Sequence, residues 1–141
     1  MNIKQVTSGF AVADQVTAGD LATLKQLGYK ALICNRPDGE TDGQPVAEAL
    51  AAEARAQGFA WEWIPVSSGN VTDDAIADFD AALSRHPGPV LAFCRTGTRS
   101  ITLWALSQAA RQPAEVLLQQ AAAAGYDLSV HAGRMAERLS S

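Results

Sequence analysis

Four short apolar runs rich in β-formers punctuate the chain: Gly9 to Ala13, Lys30 to Cys34, Phe59 to Val66 and Pro89 to Cys94. Between them lie segments in which apolar residues recur every three or four positions, the period of a helix packed on one face. Continuous apolar strands alternating with amphipathic helices define a mainly parallel α/β sheet covered on both faces. The expected fold class is therefore α/β, with three layers and four to five strands.

The helix-period segments carry their own start and stop signals. Thr17-Ala18-Gly19-Asp20 places an acid three residues after a hydroxyl, so a first helix is expected from Thr17, with Leu21, Leu24 and Leu27 facing inward and Gly28 ending it. A second is expected from Pro45 to Gln57, closed by Gly58, and a third from about Thr72 to Arg85, with Ile76, Phe79 and Leu83 inward. His86-Pro87-Gly88-Pro89 stops it. Ser100 to Arg111 is apolar nearly all round, as expected of a helix buried in the middle of the domain, and two amphipathic helices follow near Pro113 to Ala124 and Ser129 to Leu139. His131, Met135 and Leu139 fall at four-residue steps and are expected to face the core, and Trp61 and Trp63 are expected to pack on one strand face.

Length and composition narrow the class. A chain of 141 residues reads as one domain, residues 1 to 141, large enough to hold a core without a metal or a disulfide. Hydrophobic residues make up 48% and charged ones 18%, outside the disordered range, and no tract approaches the length of a membrane span. The net charge of −4, with no basic stripe, argues against nucleic acid. No apolar leader follows Met1, so a cytoplasmic location is expected, where both cysteines stay reduced. The two histidines are isolated and no ligand cluster has metal spacing, so neither metal nor cofactor is implied.

The chemistry concentrates in Cys94-Arg95-Thr96-Gly97-Thr98-Arg99-Ser100, between the run ending at Phe93 and the helix carrying Trp104. Strand, tight loop and helix direct successive backbone N–H groups and a helix N-terminus at one point, where an anion is favoured. The dipole and Arg99 favour a thiolate, which makes Cys94 the expected nucleophile. Gly97 supplies the left-handed or close-approach position of a closed loop. Arg95, Thr96, Thr98 and Ser100 complete the anion-binding loop, Ser100 as a donor to the departing sulfur and Arg95 as a guide for an anionic substrate or as a partner for an outside carboxylate.

A neighbouring strand delivers a second group of candidates. Asn35-Arg36-Pro37-Asp38-Gly39-Glu40 follows a strand expected beside that of Cys94, and ligands of α/β sheets collect at those carboxyl ends. Arg36 is then a candidate for orienting substrate and Asp38 for donating a proton; turn chemistry alone also accounts for Pro-Asp-Gly. Cys34, at the end of that strand, is a candidate redox or relay partner of Cys94, against the alternative of simple burial.

These residues carry a resemblance. The Cys94 loop is similar to the active-site loops of cysteine-based phosphatases and of rhodanese-type sulfurtransferases. Residues 27 to 40, Trp63-Ile64-Pro65-Val66 and residues 89 to 100 together resemble the phosphatase-like domain of beta-lactamase hydrolase-like proteins. The resemblance implies a dual-specificity-phosphatase-like fold and a hydrolase or sulfurtransferase activity.

Two departures separate those activities. Tyrosine-phosphatase loops place five residues between Cys and Arg, whereas this loop has four, Arg95 to Thr98, which shortens the contour by up to about 3.8 Å. The shorter spacing is that of rhodanese-type loops. The aspartate that follows the Ile-Pro-Val strand in the dual-specificity pattern is replaced by Ser67-Ser68-Gly69-Asn70, and the histidine before the cysteine by Phe93. Asp73 and Asp74 read as the first turn of a helix. A phosphatase gains about 10²–10⁴-fold from a general acid, whereas thiolate attack on a sulfane sulfur expels a stable anion unaided. The leading expectation is thus a sulfurtransferase that forms a persulfide on Cys94 from a sulfane donor and passes it to a thiol acceptor. Phosphoester hydrolysis through phosphocysteine is the alternative, and a non-catalytic anion-binding module the third.

Overall fold

The computed structural model describes residues 1–140. Five strands form one sheet: β1 (Ile3–Thr7), β2 (Phe10–Ala13), β3 (Ala31–Cys34), β4 (Ala60–Trp63) and β5 (Val90–Phe93), in the order β1-β2-β5-β3-β4. β1 pairs antiparallel with β2, and every other pairing is parallel. Six α-helices cover it: α1 (Leu21–Gln26), α2 (Ala47–Ala56), α3 (Asp73–Arg85), α4 (Thr98–Gln108), α5 (Ala114–Ala123) and α6 (Ala132–Leu139). The α/β class and the three layers expected from the alternation are thus present, with β1 as the fifth strand.

Strands β2, β3 and β5 are buried throughout, which is why they read as unbroken apolar runs. Alternate residues serve opposite faces. Val12, Ile33 and Ala92 join Ile76 and Phe79 of α3, the apolar residues of α4, Leu117 of α5 and Met135 of α6 in one core cluster. Ala13, Leu32 and Phe93 join Leu21 and Leu24 of α1 and Leu50 of α2 in the other. Helix α4 is buried from Ser100 to Ser107, as its all-round apolarity implied.

Four details differ from the sequence expectations. Leu27 is 59% exposed, because α1 ends at Gln26 and the chain turns at Gly28 before a further inward position is reached. Helix α4 begins at Thr98, within the anion loop itself, rather than at Ser100. Met135 is in the core, but Leu139, the last residue of α6, is 43% exposed, and His131 is only half-buried because it lies in the 3₁₀ turn Ser129–His131 before the helix begins. Trp63 lies 46% exposed at the edge strand, its indole Nε1 donating to the Arg36 carbonyl at 3.1 Å.

Candidate functional site

The parallel register sets the site. Cys34 lies opposite Phe93, so both strands end together and release Asn35 and Cys94 side by side at the carboxyl edge of the sheet. There the two crossovers are tied by a buried polar chain: Ser100 Oγ donates to Asn35 Oδ1 at 2.8 Å, and Asn35 Nδ2 donates to the Ile64 carbonyl at 2.9 Å. Ser100 and Asn35 are fully buried, so each hydrogen bond also removes the cost of an unpaired polar group. The Ser100 hydroxyl is thereby committed to the Asn35 amide.

Cys94 is fully buried, and its sulfur accepts the Gly97 N–H at 3.1 Å. Gly97 adopts φ +90°, and its carbonyl accepts from Ile101 N at 3.0 Å as α4 begins. A Cβ at this position would overlap the Tyr126 hydroxyl, which itself donates to the Thr96 carbonyl at 2.9 Å. Tyr126 thus closes against the loop from the segment after α5. Gly97→Ala combines that clash with a left-handed backbone, and is expected to destabilise the fold by about 1–3 kcal/mol. Thermal denaturation of the variant beside the wild-type protein measures it; an unchanged midpoint would show that the loop re-forms without cost.

Arg99, the second residue of α4, is held along one edge of its guanidinium. Nη1 donates to Glu40 Oε2 at 2.8 Å and to the Val66 carbonyl at 2.8 Å, and Nη2 donates to Glu40 Oε1 at 2.9 Å. A guanidinium carries five N–H donors, so two remain, on Nε and Nη2. The Arg99 pKa is raised first by the hydrogen bond with Glu40 and further by the nearby Cys94 sulfur. Glu40 is in turn fixed by Arg36: Nε donates to Oε1 at 2.9 Å, while Nη1 and Nη2 bond Gln15 Oε1 and Thr41 Oγ1. Arg36 is only 5% exposed, and its place is behind Glu40 rather than on the wall of the cavity.

The hydrogen bond from Arg99, with that from Arg36, holds the Glu40 carboxyl below its ordinary range. An unfolded glutamate takes up its proton near pH 4.3, and the folded one does so at lower pH. The stabilisation from Glu40 is therefore complete above the unfolded value and disappears as pH falls through the folded one. The difference in thermal midpoint between wild type and Glu40→Gln is expected to stay level from neutral pH down to about 5 and to close in more acid buffer. A gap that instead closes on going to alkaline pH would contradict the ion pair.

The remaining predicted residues are distributed differently. Asp38 Oδ1 accepts the Ala47 N–H at 2.8 Å, so this carboxylate serves the start of α2, and it is absent from the cavity wall. Asp73 heads α3 and pairs with Arg134 at 2.8 Å, its side chain 84% exposed. Cys34 packs among Leu32, Phe93 and Leu50 and donates to the Arg36 carbonyl at 3.7 Å. Burial is the main cause that pushes its thiol up to about 12, and both cysteines are free thiols. Among the described residues there is no cluster of potential metal ligands, and no helix is long and apolar enough to cross a membrane.

Above the loop opens a cavity of about 760 Å³. It is lined by Arg95, Thr96, Thr98 and Arg99 of the loop and the start of α4, by Glu40 and residues 68 to 71, and by Thr102, His131 and Arg134. Glu40, Tyr126, His131 and Arg134 were not among the candidates drawn from sequence. His131 and Arg134 stand three residues apart in the last helical segment, a spacing that places two polar side chains on one face. Glu40 sat unnoticed in a turn-rich stretch of charges, and Tyr126 carries no local signal.

A parallel sheet with a cysteine at the end of a central strand, followed by a tight loop and a helix bearing arginine, defines the cysteine-phosphatase-like class of α/β proteins. The same fold is seen in Tk-PTP in its active form, at TM-score 0.73 and 15% identity over 98% of this chain and 93% of that one. Within this class, residues 2–111 match the family described as beta-lactamase hydrolase-like protein, phosphatase-like domain, and the chain belongs to that family. It is 34% identical over 108 residues to a beta-lactamase hydrolase-like protein of Xylella fastidiosa, covering 77% of this chain and 25% of that one. The chain thus spans about a quarter of the length of the curated relatives it matches. A candidate phosphatase from Neisseria meningitidis Z2491 superposes at TM-score 0.85, with 31% identity over 98% of this chain and 99% of that one.

Proposed function

We propose that the protein is a cysteine-dependent phosphoester hydrolase whose nucleophile is Cys94. The observation that carries this reading is the meeting of a buried cysteine, a loop of backbone donors and a braced arginine at the carboxyl edge of a phosphatase-like sheet. Family membership supports the same class and reverses the order of the two activities that loop length and the missing acid favour.

In this reading the thiolate attacks phosphorus, forming the S–P bond as the ester P–O bond breaks and the leaving oxygen takes the electron pair. Loop N–H groups and the two free donors of Arg99 take the phosphoryl oxygens. Water then attacks phosphorus, the S–P bond breaks, orthophosphate departs and the thiolate returns. Glu40 is the only carboxylate on the cavity wall among the described residues, and its paired, ionised state suits it to brace Arg99 rather than to donate a proton. Asp38 remains a proton donor only in a rearranged loop that frees it from Ala47. Without a resident acid, substrates whose leaving groups depart readily as anions, aryl phosphates above all, are favoured.

Sulfur transfer is kept as the second reading on one specific observation, the four-residue spacing from Cys94 to Arg99 in a cavity with no free acid. There the thiolate attacks the outer sulfur of thiosulfate, an S–S bond forms, and sulfite leaves with the electron pair of the broken bond. Assaying orthophosphate release from p-nitrophenyl phosphate beside sulfite release from thiosulfate separates the two. Turnover of the ester is the expected result; sulfite release without phosphate release would overturn it.

A further inference from the structure

The cavity is far larger than one phosphoryl group requires. Its volume of about 760 Å³ lies in the range that holds a whole small organic ligand. Its wall is also unlike the rest of the molecule, presenting Arg95, Arg99 and Arg134 against one carboxylate, Glu40, in a chain of net charge −4. Glu40 pairs with Arg99, and Asp73, outside the wall, pairs with Arg134, which leaves Arg95 and, once Asp73 is displaced, Arg134 to meet an anion.

Those two cations are differently prepared. Arg95 is exposed and makes no hydrogen bond or ion pair among the described residues. Arg134, on α6, is half-buried in the same lining, where Nη1 donates to the Val71 carbonyl at 2.7 Å and Nη2 to Asp73 Oδ1 at 2.8 Å. The carbonyl fixes the guanidinium in place, while Asp73, 84% exposed, is a surface partner that a ligand anion can replace at small cost. His131 stands beside Arg134, and burial, followed by the Arg134 charge, lowers its pKa. The neutral ring adds a hydrogen-bond group without competing for the anion.

We propose that Arg134 and Arg95 form a second anion subsite, and that the ligand this protein takes is a small molecule with two anionic groups, one cradled over Cys94 and the other held between these arginines. The proposal deepens the phosphoester reading and rests on it for the identity of the first group. It also gives a role to the chain beyond residue 111, since His131 and Arg134 lie after the family-matched segment. Specificity in this member of the family then resides in its C-terminal helices, while the sulfur and its loop supply the chemistry.

Binding to the full-length Cys94→Ser protein tests the subsite without turnover. Calorimetry is run with a series of α,ω-alkanediol bisphosphates of increasing length, each beside its monophosphate. At least one bisphosphate is expected to bind about ten-fold or more tightly than its monophosphate. That advantage should disappear in Arg134→Gln and shrink in Arg95→Gln, while Arg55→Gln, on the exposed face of α2, retains it as the control for general charge. Arg134→Lys should recover part of it. Equal binding of mono- and bisphosphates, or an advantage that survives both substitutions, would overturn the subsite. Phosphate release by the wild-type protein is read separately, so a failed phosphoester reading shows as absent turnover with the bisphosphate preference intact. Circular dichroism of each variant confirms that it is folded.

Discussion

Serine in place of Cys94 is expected to reduce turnover by at least about 10³-fold while leaving the fold intact. The sulfur is fully buried and receives the Gly97 N–H, so the smaller hydroxyl fits the same space and accepts the same donor. What is lost is the nucleophile, because a serine hydroxyl needs an adjacent base and no imidazole bonds the residue at 94. Steady-state kinetics with p-nitrophenyl phosphate, together with a thermal melt, measure both halves of the expectation. Retained activity would mean that Cys94 is a packing residue.

Arg99→Lys is expected to lower kcat by about 10²–10³-fold with a smaller change in KM. One planar group now reaches Glu40 with two nitrogens, reaches the Val66 carbonyl, and still has two donors to spare. A lysine ammonium has three donors and no plane, so it can keep the charge but not both edges. Glu40→Gln should fall in the same direction by less, since it keeps the shape and loses the charge that fixes Arg99. Unchanged kcat in the Arg99→Lys enzyme would show that only the charge of Arg99 matters.

The parts of the molecule that could be read from sequence are those whose physics is local. Strands β2, β3 and β5 are buried on both faces and stood out as apolar runs; the loop from Cys94 to Ser100 stood out because glycine, hydroxyls and arginines between a strand and a helix have few structural uses. Strand β1 escaped notice because Ile3–Thr7 is a half-buried edge strand with Lys4 and Gln5 in its middle, too polar to read as a strand. The proton-donor expectation for Asp38 met a competing local use, the amide at the start of α2, which a turn-rich sequence does not reveal. Glu40 could not be found this way at all. It meets Arg99 across 59 positions, and only the register of β3 on β5 brings them together. The same holds for Tyr126 against Gly97 and for Arg134 against Val71, contacts made by the fold and invisible to spacing.

The chemical identity of the covalent species on Cys94 tests the account most directly. The wild-type protein is mixed rapidly with p-nitrophenyl phosphate, quenched in acid within a turnover, and its intact mass is compared with that of Cys94→Ser and Cys34→Ser treated alike. A parallel sample receives thiosulfate. A gain of one phosphoryl group is expected in the wild-type and Cys34→Ser proteins and none in Cys94→Ser. A gain of one sulfur from thiosulfate on Cys94, with no phosphoryl adduct from the ester, would contradict it and make the protein a sulfurtransferase on a phosphatase-like frame.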